Sequence, residues 1–238
     1  MLYPKYAHSA SSGNLWMDAR DVFLWRYGFQ KWGKDSPRAQ MGVIAEEITY
    51  QALLQGLSPE DASKLAQETY DAKFQGEVHE EREYVGGITA KFVTALSELG
   101  KPLTYQASRT VELGAFAKGI KVKTDLGYDN LTVDLKATLR VPSSPKPAHL
   151  RQASLYAKLT GKPQKLLYAS DKKIWGYVVT EEDVEKNVPV LFGAFRTIEG
   201  FAKMFPTPEA ALSAIAFNPD TYYWKDYDIE EARKAWQV

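Results

Sequence analysis

The chain has no cysteine among its 238 residues and only three histidines, His8, His79 and His149. Disulfides, cysteine-ligated zinc and iron–sulfur clusters are therefore excluded, and histidine-rich metal sites have little material. Net charge is lacking too, because 30 Lys and Arg balance 30 Asp and Glu. No global field draws the protein to nucleic acid or to an anionic membrane, so any anion site must come from a local gathering of charge. No apolar run approaches the roughly 18 residues of a membrane span. The opening MLYPKYAHSASSGNLW has no basic segment followed by an apolar one, and a soluble, cytoplasmic protein is the expectation. No GxxxxGKS or GxxxxGKT loop occurs, and Gly86-Gly87 belongs to no GxGxxG fingerprint, so ATP-driven work and dinucleotide binding have no support.

What is present is ordinary globular usage, 45% hydrophobic and 25% charged with 16 Gly and 12 Pro. A chain of this length buries roughly 70–75% of the surface it exposes unfolded, enough for a core without covalent staples. Residues 13–100 read as helical. Leu15, Trp16, Val22, Phe23, Trp25 and Phe29 recur at helical spacing, and a second segment runs from about Ala39 to Leu54. Ser58-Pro59-Glu60-Asp61 supplies a cap, a first-turn proline and acids for a third, and a fourth covers about Glu80 to Leu99. From Pro102 to Val179 the pattern is β-branched and alternating, interrupted by one helix at Ala148–Leu159, and helix returns from Glu181. The expectation is one domain over 1–238: a helical lobe at 1–100, a sheet at 101–180 and C-terminal helices at 181–238.

The segment Leu131–Leu139 alternates Leu131, Val133, Leu135, Ala137 and Leu139 with Thr132, Asp134, Lys136 and Thr138. In a strand this puts Asp134 and Lys136 on one face, either solvated or turned toward a cleft. Asp-x-Lys also occurs at Asp71–Lys73 and Asp171–Lys173, but in a helical stretch and in a turn. Gly119–Asp125 reads as the partner strand and Leu126–Asn130 as a hairpin turn, which would bring Asp125 near Asp134. Two carboxylates and an ammonium at a strand end suit a hard divalent cation and charge developing on a phosphoryl group. Phosphodiester cleavage demands roughly 20 kcal/mol of catalysis, whereas one general base supplies about 10²–10⁴-fold. A carboxylate-bound Mg²⁺ or Mn²⁺ is the plausible source. Glu46 follows Gly42 by four residues on a predicted helix, and since Glu46 and Glu47 point about 100° apart, only one can face a cleft. Gln152 and Tyr156 share a helix face, with His149 one turn earlier.

In order and spacing these residues resemble the PD-(D/E)xK nucleases of the RecB exonuclease-domain type. His8-Ser9-Ala10-Ser11-Ser12 with Leu15, Trp16, Phe23 and Tyr27 is similar to that family's opening SxS helix. Gly42-x3-Glu46 resembles its first acidic motif, Asp125 and Asp134-Leu135-Lys136 its metal-binding strands, and Gln152-x3-Tyr156 its QxxxY motif. The match covers about residues 8–160. It implies an α/β fold with a central mixed sheet flanked by helices, a restriction-endonuclease-like core, and a helical N-terminal lobe walling a DNA channel. It implies that Glu46, Asp125, Asp134 and the Leu135 carbonyl ligate Mg²⁺ or Mn²⁺, that Lys136 orients or activates water, and that Gln152 and Tyr156 position the nucleic-acid backbone. Three features depart from the family. Asp18–Asp21 carries none of the iron–sulfur members' cysteines, Glu46 stands where many members have histidine, and the hydroxyl expected after the lysine is displaced to Thr138 by Ala137. The Glu46 departure moves the chain toward phage-exonuclease-like relatives.

The expected activity is a metal-dependent deoxyribonuclease, an exonuclease at DNA ends in recombination, repair or phage DNA metabolism, with DNA and a recombination protein as partners. Substrate contacts would come from Ser9, Ser11, Arg20, Arg38, Arg140 and Arg151, supplemented by Arg26, Lys31 and Lys146. Tyr222, Tyr223, Trp224 and Tyr227 either stack single-stranded bases or pack in a core. Two rivals stand beside this reading: a catalytically silent module binding DNA ends or single strands on the same fold, and a metal-independent glycoside hydrolase using two carboxylates.

Overall fold

The computed structural model describes residues 7–34, 36–75, 77 and 79–237. The protein is α/β, with a mixed sheet flanked by helices. By compactness the chain falls into two units. One unit takes residues 1–35, 109–122 and 185–238, the other 36–108 and 123–184. Hydrogen bonding orders the strands β1 (His8–Ser9), β3 (Ile120–Gly127), β4 (Thr132–Ala137), β5 (Gln164–Ala169) and β6 (Ile174–Val178), and β2 (Thr104–Val111) pairs with β3.

The second unit begins with α3 (Pro37–Gln55), following the first unit's α1 (Ala10–Asp18) and α2 (Arg20–Phe23). Ser36 caps α3 by accepting the Ala39 amide at 3.2 Å, and Gly56 closes it in the left-handed region at φ 72°. The start read at Ser58 is where α4 (Pro59–Lys73) begins, with the Ser58 hydroxyl accepting the Asp61 amide at 3.1 Å. Next comes α5 (Glu81–Leu96). Its Gly86 marks close helix packing, since a Cβ there would stand 2.6 Å from Ser63 Oγ and 3.0 Å from the Ser63 carbonyl oxygen. Gly86→Val is expected to cost about 1–3 kcal/mol by overpacking, more than its helix propensity returns. A lowered urea midpoint at unchanged slope would register it.

Strand β4 runs antiparallel to β3 (Leu126↔Val133, Gly127↔Thr132) and parallel to β5 from Thr132↔Gln164 to Ala137↔Ala169. The hairpin is tighter than expected. Leu126 and Gly127 remain in the strand, and the Tyr128 amide bonds the Leu131 carbonyl across Asp129-Asn130. The odd residues Leu131, Val133, Leu135, Ala137 and Leu139 enter one core with Met41, Ile44, Ile48, Ile88 and Phe92 of α3 and α5. The opposite face is not the wet face of a half-exposed strand. There Leu166 and Tyr168 pack with Leu150 and Ala153 of α6 (Pro147–Thr160), so Asp134 is wholly buried. A parallel crossover lays its helix over the sheet, and this covers the charged side.

In the first unit β1 pairs parallel with Ile120–Lys121. Helical periodicity from Leu15 to Phe29 predicts a continuous helix, but the chain breaks at Ala19 (φ −155°, ψ 83°), restarts as α2 and widens into a π turn at Leu24–Gly28. The reason lies in what each piece buries. Trp16 packs on Phe23 and Phe201, Trp25 on Trp224 and Trp236, and the buried Asp21 carboxylate accepts the Asn218 amide and Trp224 Nε1. The unit also holds most of α7 (Glu181–Met204), with α8 (Pro208–Leu212) and α9 (Ile229–Trp236). Among the described residues, no helix is long and apolar enough to cross a membrane.

Candidate active site

All of Glu46, Asp125, Asp134, Leu135, Lys136, Gln152 and Tyr156 lie in the second unit, contributed by α3, β3, β4 and α6. The ladder between β3 and β4 supplies the first contact. Pairing is recorded at Leu126↔Val133, and one step further the Asp125 side chain takes the strand's place, its Oδ2 accepting the Leu135 amide at 2.8 Å. The Thr132 and Thr138 amides bond carbonyls on the β5 side. Parallel alternation therefore turns the even-numbered peptide groups of β4 toward β5 and the Leu135 carbonyl toward β3, beside Asp125.

Asp134 is held from two sides. Its Oδ2 lies 2.6 Å from the Lys136 ammonium, and its Oδ1 accepts a loose 3.4 Å bond from Gln152 Nε2, which also reaches the Tyr156 hydroxyl at 3.4 Å. No further hydrogen-bond donor reaches the sealed Oδ2 among the described residues. Glu46 turns inward while Glu47 is exposed, and Gln106 Nε2 donates to Glu46 Oε1 at 2.9 Å.

The electrostatics are those of a crowded acid cluster. Burial, then the charges of Asp134 and Glu46, raise Asp125 well above the usual carboxylate range against the opposing pull of Lys136 and the Leu135 amide. Burial likewise raises Glu46; the Gln106 hydrogen bond works against it and Asp134 with it. At Lys136 burial favours the neutral amine, but Asp134 and Asp125 outweigh it, so its affinity for the proton rises. Tyr156 is raised by burial and then by Asp134.

The donor set fits a hard divalent cation. It offers carboxylate oxygens, with one carbonyl beside them, and three acids face one contacting ammonium, the one cation that meets the buried Asp134 Oδ2 among the described residues. Among the described residues no three acidic or histidine side chains are already drawn in to metal-ligand spacing. Lys136 and Gln106 occupy the carboxylates instead.

The expected substrate contacts are more scattered. Ser9 caps α1 in a reciprocal box with Ser12, its hydroxyl accepting the Ser12 amide at 3.1 Å, and Ser11 is exposed. Arg20 lies over the Trp16 ring at 5.3 Å, Arg26 over Trp32 at 4.7 Å, and Lys31 pairs with Glu231. These five belong to the first unit, whereas Arg38, Arg140, Lys146 and Arg151 belong to the second, with Arg38, Arg140 and Lys146 exposed. Trp224 is core and Tyr222 is 69% exposed. The other Asp-x-Lys triplets fall at the end of α4 and in the turn between β5 and β6.

Three residues escape sequence reading: Gln106, its neighbour Tyr105, and Lys123, whose charge acts on Glu46. Tyr105 stacks on Tyr50 at 4.5 Å, and Gln106 holds a left-handed φ of 47° within β2. A strained non-glycine backbone inside a strand points to function, but no side-chain pattern announces it.

No protein-family model matches the chain, and no curated protein matches it. The crystal structure of SSO0001 aligns over 66% of this chain and 86% of its own at 15% identity, with a TM-score of 0.35. A likeness that low bears on neither fold family nor function.

Proposed function

We propose that this protein is a Mg²⁺- or Mn²⁺-dependent deoxyribonuclease with a restriction-endonuclease-like core of the PD-(D/E)xK kind, acting as an exonuclease on DNA ends in recombination, repair or phage DNA metabolism. The observation that carries this reading is that Glu46, Asp125 and Asp134, from three separate elements, feel one another's charge inside the protein, with Lys136 against Asp134. Burying three mutually repelling carboxylates is costly, and a divalent cation removes the cost.

In this reading Glu46, Asp125, Asp134 and the Leu135 carbonyl hold the cation. Once bound, Mg²⁺ or Mn²⁺ polarises a phosphoryl oxygen and lowers the pKa of water. Lys136, in contact with Asp134, orients or activates the attacking water and meets charge growing on the phosphoryl oxygens. Gln152 and Tyr156 carry N–H and O–H donors that can hold the phosphate backbone on the α6 side. A glycoside hydrolase would use two of the acids but gives no role to Lys136 or to the Gln152 and Tyr156 pair, and its activity would survive EDTA.

The test is degradation of end-labelled linear DNA beside a covalently closed circle in Mg²⁺, Mn²⁺ or EDTA. Loss of linear DNA alone, only with metal, is the expected result. Cutting of the circle would convert the reading to an endonuclease. Binding without cutting under either metal would leave the silent DNA-binding module, and cleavage that survives EDTA would remove the metal.

A further inference from the structure

The face of α6 that carries Gln152 and Tyr156 has a third polar side chain, His149, three residues before the one and seven before the other. Those spacings keep all three on one side of the helix. Beneath His149 lies Tyr168 of β5, the cross-strand partner of Lys136, so the imidazole stands beside the lysine end of the acid cluster.

Its setting fixes the ring. The two rings stack at 5.6 Å between centroids and 27° between planes, and Nδ1 lies 2.9 Å from the Tyr168 hydroxyl oxygen. The same oxygen accepts the Lys146 amide at 3.2 Å. A phenol has one proton to give, and Nδ1 is the acceptor in reach among the described residues. Nδ1 thus accepts, and the imidazole proton sits on Nε2. Nε2 has no partner among the described residues and is not sealed from solvent. Burial, then the Lys136 charge, lowers the histidine to about 4, so the ring is neutral under assay conditions. A protonated Nε2 is a donor and not a metal ligand.

We infer, taking the site to be that of a nuclease, that His149 is a further substrate-binding residue whose Nε2–H donates to a non-bridging phosphate oxygen of the DNA backbone, one helical turn from the contact made by Gln152. The residue lies outside the Gln152-x3-Tyr156 motif, and the tautomer set by Tyr168 is what gives it this role.

Amide substitutions separate the two nitrogens. In His149→Gln the longer side chain carries its amide N–H to about the place of Nε2, whereas in His149→Asn the shorter one leaves it near that of Nδ1. With linear duplex DNA and Mn²⁺, His149→Ala and His149→Asn are expected to lower kcat/KM by about 10–100-fold, the loss of a hydrogen bond to a charged group, mainly through KM. His149→Gln should stay within about threefold of wild type. Melting temperatures of the three variants establish that each is folded. An alanine variant equal to wild type would overturn the inference alone. Rescue by asparagine and not glutamine would also overturn it, making His149 a strut for Tyr168. A wild type that neither binds nor cuts DNA overturns the nuclease reading, and this contact falls with it.

Discussion

Lys136→Ala is expected to slow metal-dependent cleavage of linear DNA by roughly 10²–10³-fold, the range for losing one preorganised electrostatic group. Two consequences of the change must be separated. The ammonium is 2.6 Å from a fully buried carboxylate, and removing one partner of a buried pair costs about 3–5 kcal/mol. The variant should therefore melt earlier in EDTA. Excess Mn²⁺ should restore much of that loss, because a divalent charge among the same carboxylates replaces the missing one. Rates are then compared at saturating Mn²⁺, where wild type and variant are both folded. A variant that cuts at the wild-type rate there would reduce Lys136 to a counter-ion needed only for folding.

Asp125→Asn should move stability and activity in opposite directions. The asparagine oxygen can still accept the Leu135 amide, so the local bond survives, while a charge that burial, Asp134 and Glu46 all disfavour is removed. Its sign follows from proton linkage. A native carboxyl with a raised pKa retains a proton that the unfolded chain, near the ordinary 3.8, has released. Metal-free wild type therefore loses stability as pH climbs from about 4 through the raised native value, at about 1.4 kcal/mol for each unit of displacement. Asparagine does not titrate, so the variant's advantage in EDTA should be absent near pH 4 and largest near pH 8. Activity should fall by at least roughly 100-fold, beyond what losing an outer-sphere partner costs. Chemical denaturation across pH with EDTA, beside the cleavage assay, checks both signs. A variant less stable than wild type at pH 8 would show that the Asp125 charge is not strained.

Local chemistry made much of this legible. Ser58-Pro59 marked the start of α4 because cap and first-turn proline act within four residues. The alternation at 131–139 assigned its apolar set to one core because a strand has period two. The single inward acid of Glu46-Glu47 followed from helical geometry, and Glu47 is indeed the exposed one. What escaped was non-local. The covering of Asp134 depends on where α6 lands, the Ala19 break on partners near residue 220, and the Gln106–Glu46 bond on the path of β2. None of these has a periodic signature, because each is decided by segments tens of residues apart.

The interleaving of the two units sets an order of assembly during synthesis. Everything in the unit that bears the acid cluster has been made by residue 184, whereas the other unit draws on residues 185–238 as well as on 1–35 and 109–122. At about 5–20 residues per second on the ribosome, the acid-bearing unit has several seconds with all of its own sequence made while its companion still lacks a segment. A nascent chain paused in that interval would carry Asp134 and Lys136 before His8 of the first unit could meet Glu199, its hydrogen-bond partner at 3.1 Å.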